Sequence, residues 1–259
     1  MNFELFYIFA LMITKAEIQL VRSLADKRNR DELRLFVAEG EKLIDELRRS
    51  HLRIRNIYAL EGVFEGSDVE IVTPKEMERM SMLKTANNSL AVVEQPHHKF
   101  DPATLDKNLV LALDDVQNPG NLGTIIRLAD WFGIKDIICS PATADCFNPK
   151  VVQATMGAIL RVRVHYLDLP TVLRSAAAQG TPIYGTFLDG ENIYDCKLEQ
   201  RGIIVMGNEG KGVSEACAKS VTDRLYIPPY PADCASSESL NVAIATAVTC
   251  AEFRRRAKK

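Results

Sequence analysis

Five side chains stand out for the chemistry they could do together: Asn121, Arg127, Glu209, Ser239 and Asn241. They lie in three stretches, each of which follows an apolar run. Arg127 sits on a helix that opens just past the strand Leu109–Leu113, where open α/β sheets place their ligands. It falls well off the apolar stripe Leu122, Ile125, Ile126, Ala129 and Gly133, so its guanidinium is free to face a ligand rather than a core. Glu209 lies in Gly207-Asn208-Glu209-Gly210-Lys211-Gly212. Glycines so spaced let the backbone come close to a bound molecule, with a carboxylate in reach. Ser239 and Asn241 stand between a proline-rich loop and an apolar helix. Either Ser239 or Ser237 could cap that helix, and Asn241 could satisfy backbone groups there.

The elements that must position these side chains are strands followed by helices. Leu109–Leu113 is a continuous apolar run, as in a strand covered on both faces. Asn118-Pro119-Gly120-Asn121 is turn chemistry and Gly133 a helix stop. Ile203–Met206 is a second apolar strand, leading into the glycine loop. That loop is neither G-x-G-x-x-G nor a P-loop, so phosphate cradling of a nucleotide is not favoured. The helix from Leu240 through Val248 is apolar on nearly every side and should be buried on several faces, a sheet on one and another subunit on the other.

The bulk numbers exclude several classes. At 259 residues, 47% hydrophobic and 25% charged, the chain has ordinary globular composition, with room for one large or two modest domains. A net charge of -2 means that nucleic acid, if bound, is bound by local basic patches. Six cysteines without a C-x-x-C pair read as reduced thiols of a cytoplasmic protein, with no disulfide framework and no metal site. His97 and His98 lack a third ligand. The apolar start, Met1 to Ile13, is too short to span a bilayer, is broken by Glu4 and has no basic residue ahead of it. It reads as an extension or extra helical turn, with Met12 as an alternative start.

Taken in order, Thr14 and Glu17 make a capping box for a helix through Ile18 and Val21, and Asp26–Asp31 reads as a charged connector. Leu35–Val37, Ile54–Leu60, Val69–Val72 and Leu90–Val93 read as strands, and helices begin at Glu41 and Pro74. The basic residues Arg48, Arg49, His51, Arg53 and Arg55 are either a solvated helix end or phosphate contacts. Residues 1–95 thus form a small α/β domain, 96–107 a polar, proline-marked linker, and 108–259 a second domain. There, strands at 136–139, 161–165, 183–186 and 203–206 alternate with helices at 148–156 and 169–178, the pattern of a mostly parallel sheet.

The motifs N-x-x-x-x-x-R after a strand, G-N-E-G-x-G, and I-P followed by S-L-N-V-A-x-A, in this order, resemble the SpoU/TrmH family from about Leu109 onward. Asn148-Pro-Lys-Val-Val-Gln-Ala-Thr-Met-Gly-Ala resembles the family's intermediate helix. Ile13 to roughly Val93, with Phe36-Val-Ala-Glu-Gly-Glu-Lys, is similar to its N-terminal substrate-binding domain. One departure is the longer loop from Pro228 to Glu238, which has no glycine.

The resemblance implies a SPOUT α/β trefoil-knot catalytic domain preceded by a small α/β RNA-binding domain, without membrane or metal. It implies an RNA ribose 2′-O-methyltransferase using S-adenosyl-L-methionine, acting on rRNA or tRNA, and a homodimer formed through the C-terminal knot region. The cofactor would be held around Thr186, Phe187, Leu188, Met206, Gly207, Asn208, Ile227, Pro228 and Leu240. Arg127 would grip the phosphate beside the target ribose or serve as base with that phosphate's help, oriented by Asn121, Glu209, Ser239 and Asn241. Arg254-Arg255-Arg256 with Lys258-Lys259 is a candidate RNA contact or a frayed tail. The rival reading is a catalytically inactive RNA-binding or ribosome-assembly protein of the same fold, which would be expected to lack Arg127 or the S-L-N triplet.

Overall fold

The computed structural model describes residues 13–231 and 239–257. The apolar start up to Met12, Cys234, Ser237, most of the long loop before Ser239 and the Lys258-Lys259 pair lie outside them. The chain forms two compact units. The first gathers the described residues up to His97 together with Phe147–Leu160; the second holds His98–Cys146 and the described residues from Arg161 on.

The first unit is a four-stranded sheet in the order β1 (Leu35–Glu39), β4 (Ser89–Glu94), β2 (Ile54–Ala59), β3 (Val69–Ile71). Alternate residues of β1 serve two cores. Leu35 and Val37 pack with Ile18, Val21 and Tyr58, while Phe36 and Ala38 pack with Ile44, Leu47 and Val152. The capping box is in place at α1 (Lys15–Ser23): Thr14 Oγ1 accepts from Glu17 N at 3.2 Å, and Glu17 Oε2 accepts from Thr14 N at 2.8 Å.

One expectation for this unit is corrected, and one helix from later in the chain joins it. The charged connector is a helix, α2 (Lys27–Leu33), capped by Asp26, whose Oδ1 accepts from Arg28 N at 2.7 Å. Its buried residue is Arg30, whose guanidinium donates to Leu24 O at 2.7 Å and Ala25 O at 2.8 Å. A cation filling the inward position hides the helical stripe from an apolar count. The helix Pro149–Thr155 groups with this unit rather than with the rest of 108–259. Phe147 stacks 4.9 Å from Phe36, and Val152 joins the Phe36 core. Neighbours in sequence did not foretell these neighbours in space.

The second unit is a six-stranded sheet in the order β10 (Asp223–Tyr226), β8 (Ile183–Asn192), β9 (Gly202–Met206), β5 (Leu109–Leu113), β6 (Asp136–Cys139), β7 (Arg163–Tyr166). Every pairing in it is parallel. All five residues of β5 are buried, as a central parallel strand demands. The stretch read as linker contains a 3₁₀ turn, Pro102–Asp106, which buries Leu105 in the sheet's core.

Two helices carry the remaining elements of interest, α5 (Pro119–Trp131) and α9 (Val242–Arg255), packed against each other. The end of α9 is fastened by its arginines. Arg254 Nε donates to Phe132 O at 2.8 Å and its Nη1 to Gln200 Oε1 at 2.9 Å. Arg256 donates to the carbonyls of Ile193, Tyr194 and Cys196 and to Glu252. Arg254 and Arg256 are therefore structural clamps, which corrects the reading of them as a frayed tail. On the other side of the sheet, the buried Asp136 accepts from Arg163 at 2.6 and 2.8 Å and contacts His165 Nε2 at 2.9 Å.

Candidate functional site

The site is assembled where β5 and β9 end, because these strands pair in register, Leu113 beside Met206. Beyond β5, the buried Asp114 accepts from Ser214 N at 2.7 Å through Oδ2, tying the two loops together. Asn118 then caps α5, its Oδ1 accepting from Gly120 N at 2.8 Å and Asn121 N at 3.2 Å. Pro119, which has no N–H to waste, occupies the first turn.

Beyond β9, the glycine loop closes on itself: Asn208 and Gly212 exchange backbone hydrogen bonds of 2.9 Å. The Asn208 side chain accepts from Gly210 N and Lys211 N and donates to Asp115 O at 2.8 Å. At Gly207 a side chain is excluded outright, since a Cβ would fall 2.2 Å from the backbone of Gly212 and Val213.

Four polar side chains of the three loops were expected to converge with Arg127. Three of them form a chain of hydrogen bonds. Asn241 Nδ2 donates to Asn121 Oδ1 at 3.1 Å, and Asn121 Nδ2 donates to Glu209 Oε1 at 2.9 Å. Glu209 also accepts from Asn118 N at 3.4 Å. Partial burial pushes the Glu209 carboxyl up, but the hydrogen bonds from Asn121 and from backbone N–H groups outweigh it and hold the group below the ordinary range. It is an anion that orients amides, and a weak proton acceptor. Asn241, not Ser239 or Ser237, caps α9, its Oδ1 accepting from Ala243 N at 2.9 Å. Arg127 lies six positions beyond Asn121 on α5, or about 9 Å of helical rise. It is exposed and makes no hydrogen bond or ion pair among the described residues.

Beside this chain lies a cavity of about 760 Å³, within the range of sites that bury a small molecule. Its lining includes Thr186, Phe187, Leu188, Met206, Gly207, Asn208, Ile227, Pro228 and Leu240, together with Glu209 and Ser239. Asn121, Arg127 and Asn241 are outside the lining. Tyr226, Val242 and Ala245 line it too and were not anticipated. Tyr226 ends a strand and the other two face inward from α9, a direction that an apolar helix with no polar side does not declare. The cavity suits an adenosyl group bearing an amino acid. Met206, Ile227 and Leu240 give apolar surface, and bare Gly207 lets the Gly212–Val213 backbone close against it, which sets the shape of that wall. Among the described residues no cluster could hold a metal ion, and no helix is long and apolar enough to cross a membrane. The five described cysteines are buried, and none is in a disulfide.

Comparison with known proteins agrees with this geometry. Residues 108–251 match the family model of the SpoU rRNA methylases, and residues 15–98 match an MRM3-like substrate binding domain. The chain is 31% identical over 240 residues to the 23S rRNA (guanosine(2553)-2′-O)-methyltransferase of Bacillus subtilis strain 168, covering 90% of this chain and 94% of that one. Among solved structures, a TrmH-family chain from Porphyromonas gingivalis superposes with a TM-score of 0.85 at 38% identity, over 95% of this chain and 100% of that one. An AdoMet-bound rRNA methyltransferase from Sinorhizobium meliloti superposes with a TM-score of 0.83 at 28% identity, over 96% and 98%.

Proposed function

The chain belongs to the SpoU rRNA methylase family, and on that premise we propose that it methylates a ribose 2′-hydroxyl of large-subunit rRNA. S-adenosylmethionine, when bound, supplies an activated methyl group on a sulfonium. The protein's own work is then to place the hydroxyl in line with that methyl and to manage the hydroxyl's proton. The single observation that carries this reading is the Asn241–Asn121–Glu209 chain beside a cavity lined by Gly207 and Glu209. A guanidinium is too basic to take a proton readily. The exposed Arg127 grips the phosphate next to the target ribose through its planar fork of donors. Ser239 is in the cavity lining, which supports giving it a part in orienting the ribose. All five polar residues are present, so nothing favours an inactive relative.

Large-subunit rRNA is favoured over tRNA because the Bacillus subtilis relative, named for a 23S rRNA guanosine, spans both units of this chain. The N-terminal unit is the natural RNA grip. Arg48 is engaged by Asp68 at 3.0 Å, whereas Arg49 and Arg55 are exposed. A homodimer is part of the reading, supported by apolar surface around the α5–α9 pair: Trp131 is 83% exposed and Ile244 53%. So is threading of the tail in a knot, supported by the return of α9 against α5. A substrate in ribosomal RNA and buried cysteines outside any disulfide support a cytoplasmic location.

The test is transfer of labelled methyl from S-adenosylmethionine to undermodified total RNA, followed by mapping of the product. The expected result is one 2′-O-methylated nucleotide in 23S rRNA. A methylated base, or label in tRNA alone, would overturn the assignment.

A further inference from the structure

We propose that Arg224 is a positioning residue for the cofactor: it holds Thr186–Gly190 in place as one wall of the cavity. The inference rests on the methyltransferase reading above. It starts from an irregularity in the sheet. Along β8 and β10, Gly185 pairs with Arg224, but the next pair is Glu191 with Leu225. Five residues of β8, from Thr186 to Gly190, thus bulge out opposite a single peptide link of β10. Three of the five, Thr186, Phe187 and Leu188, line the cavity.

A bulge of five residues without a ladder partner needs another hold, and Arg224 provides it twice. Its guanidinium carbon lies 3.5 Å from the centroid of the Phe187 ring, a close cation–π contact. Its Nη2 also pairs with Asp189 Oδ1. One side chain of the neighbouring strand therefore holds residues two apart in the bulge. The Phe187 ring is held from the Gly185 side too, where a Cβ would fall 2.5 Å from ring Cε2, so the ring occupies the space of the missing side chain. At the far end, a Cβ on Gly190 would fall 2.6 Å from the carbonyl carbon of Leu225, so the bulge rejoins β10 only because position 190 is bare.

These contacts order the wall more than they stabilise the fold. The Arg224 and Asp189 side chains are 42% and 75% exposed, and an ion pair so exposed contributes little to folding. Neither residue lines the cavity. What Arg224 controls is whether Phe187 and Leu188, the latter 71% exposed, stand where a ligand meets them. A wall ordered in advance spares the ligand the ordering cost on binding.

The experiment uses the full chain and the variants Arg224→Ala, Arg224→Lys and Asp189→Asn. Calorimetric titration with S-adenosylmethionine and steady-state methyl transfer are the two readouts. For Arg224→Ala the dissociation constant and the cofactor KM rise about five-fold, while kcat at saturating cofactor falls by less than about two-fold. Arg224→Lys recovers part of the affinity, because an ammonium still reaches ring and carboxylate. Asp189→Asn, at the more exposed position, gives a smaller rise and serves if Arg224→Ala fails to fold. An unchanged dissociation constant in Arg224→Ala, or a kcat loss at unchanged KM, overturns the proposal. A wild-type chain that does not bind S-adenosylmethionine overturns the methyltransferase reading instead.

Discussion

Asn241 donates to Asn121 Oδ1 across 3.1 Å although 120 positions separate them in the chain. The same Asn241 caps α9 through its Oδ1. Its two ends therefore do different work, and a substitution can part them. In Asn241→Ser the hydroxyl keeps the cap, at a cost of about 0.5 kcal/mol or less, but loses the amide that holds Asn121. Thermal unfolding should barely move, while kcat falls about ten-fold or more. Equal losses in both would reduce Asn241 to a cap.

Arg127 is exposed and, among the described residues, without a partner, so its removal leaves nothing buried uncompensated. Arg127→Ala should lower methyl transfer about 10³-fold while folding and S-adenosylmethionine affinity stay close to wild type. Calorimetry on the variant checks the second half. Lost cofactor affinity would move Arg127 from the RNA side of the reaction to the cofactor side.

Gly207→Ala meets backbone, not a flexible side-chain tip, at 2.2 Å. The glycine loop must shift, with a stability loss of about 1–3 kcal/mol and a cofactor affinity reduced more than ten-fold. Urea unfolding and calorimetric titration measure the two effects on one preparation.

Asp136 predicts a pH dependence. Burial pushes its carboxyl up, but hydrogen bonds from His165 and Arg163, with their charges, prevail and bring it to about 2, below the 3.8 of a free side chain. A carboxyl depressed on folding stabilises above the unfolded value, and that contribution drains away as pH falls from about 4 toward 2. Asp136→Asn should cost about 2 kcal/mol at pH 7, and the gap between variant and wild type in urea unfolding should narrow below pH 4. A gap that persists at pH 2.5 would show that charge is not what matters at this position.

Much of this was legible in the residues. The apolar runs Leu109–Leu113 and Asp136–Cys139 are strands with those bounds, and Leu169–Ala178 is a helix with those bounds. The capping box at Thr14 and Glu17 announced α1 to the residue. Signals of this kind are local: an alternation, a cap, a breaker. What failed depended on partners distant in sequence. Arg30 is buried only because carbonyls of the preceding turn receive it, and the segment at 149–155 sides with the first unit because Phe36 receives Phe147. In the site, residue types and spacing pointed to Asn121, Glu209 and Asn241, which the fold joins by hydrogen bonds. They did not point to Val242 and Ala245, whose inward direction is set by how α9 packs on α5.

The cavity takes its lining from Thr186 through Ala245 and none from the strands that precede the helix Leu169–Ala178. During synthesis, then, most of the protein leaves the ribosome before there is anywhere for S-adenosylmethionine to dock. A nascent chain stalled short of Ala245 has an open-sided receptacle, so the small molecule rewards only a finished fold. Ligand-induced protection from proteolysis should accordingly arrive all at once, with the last helix, rather than grow with chain length.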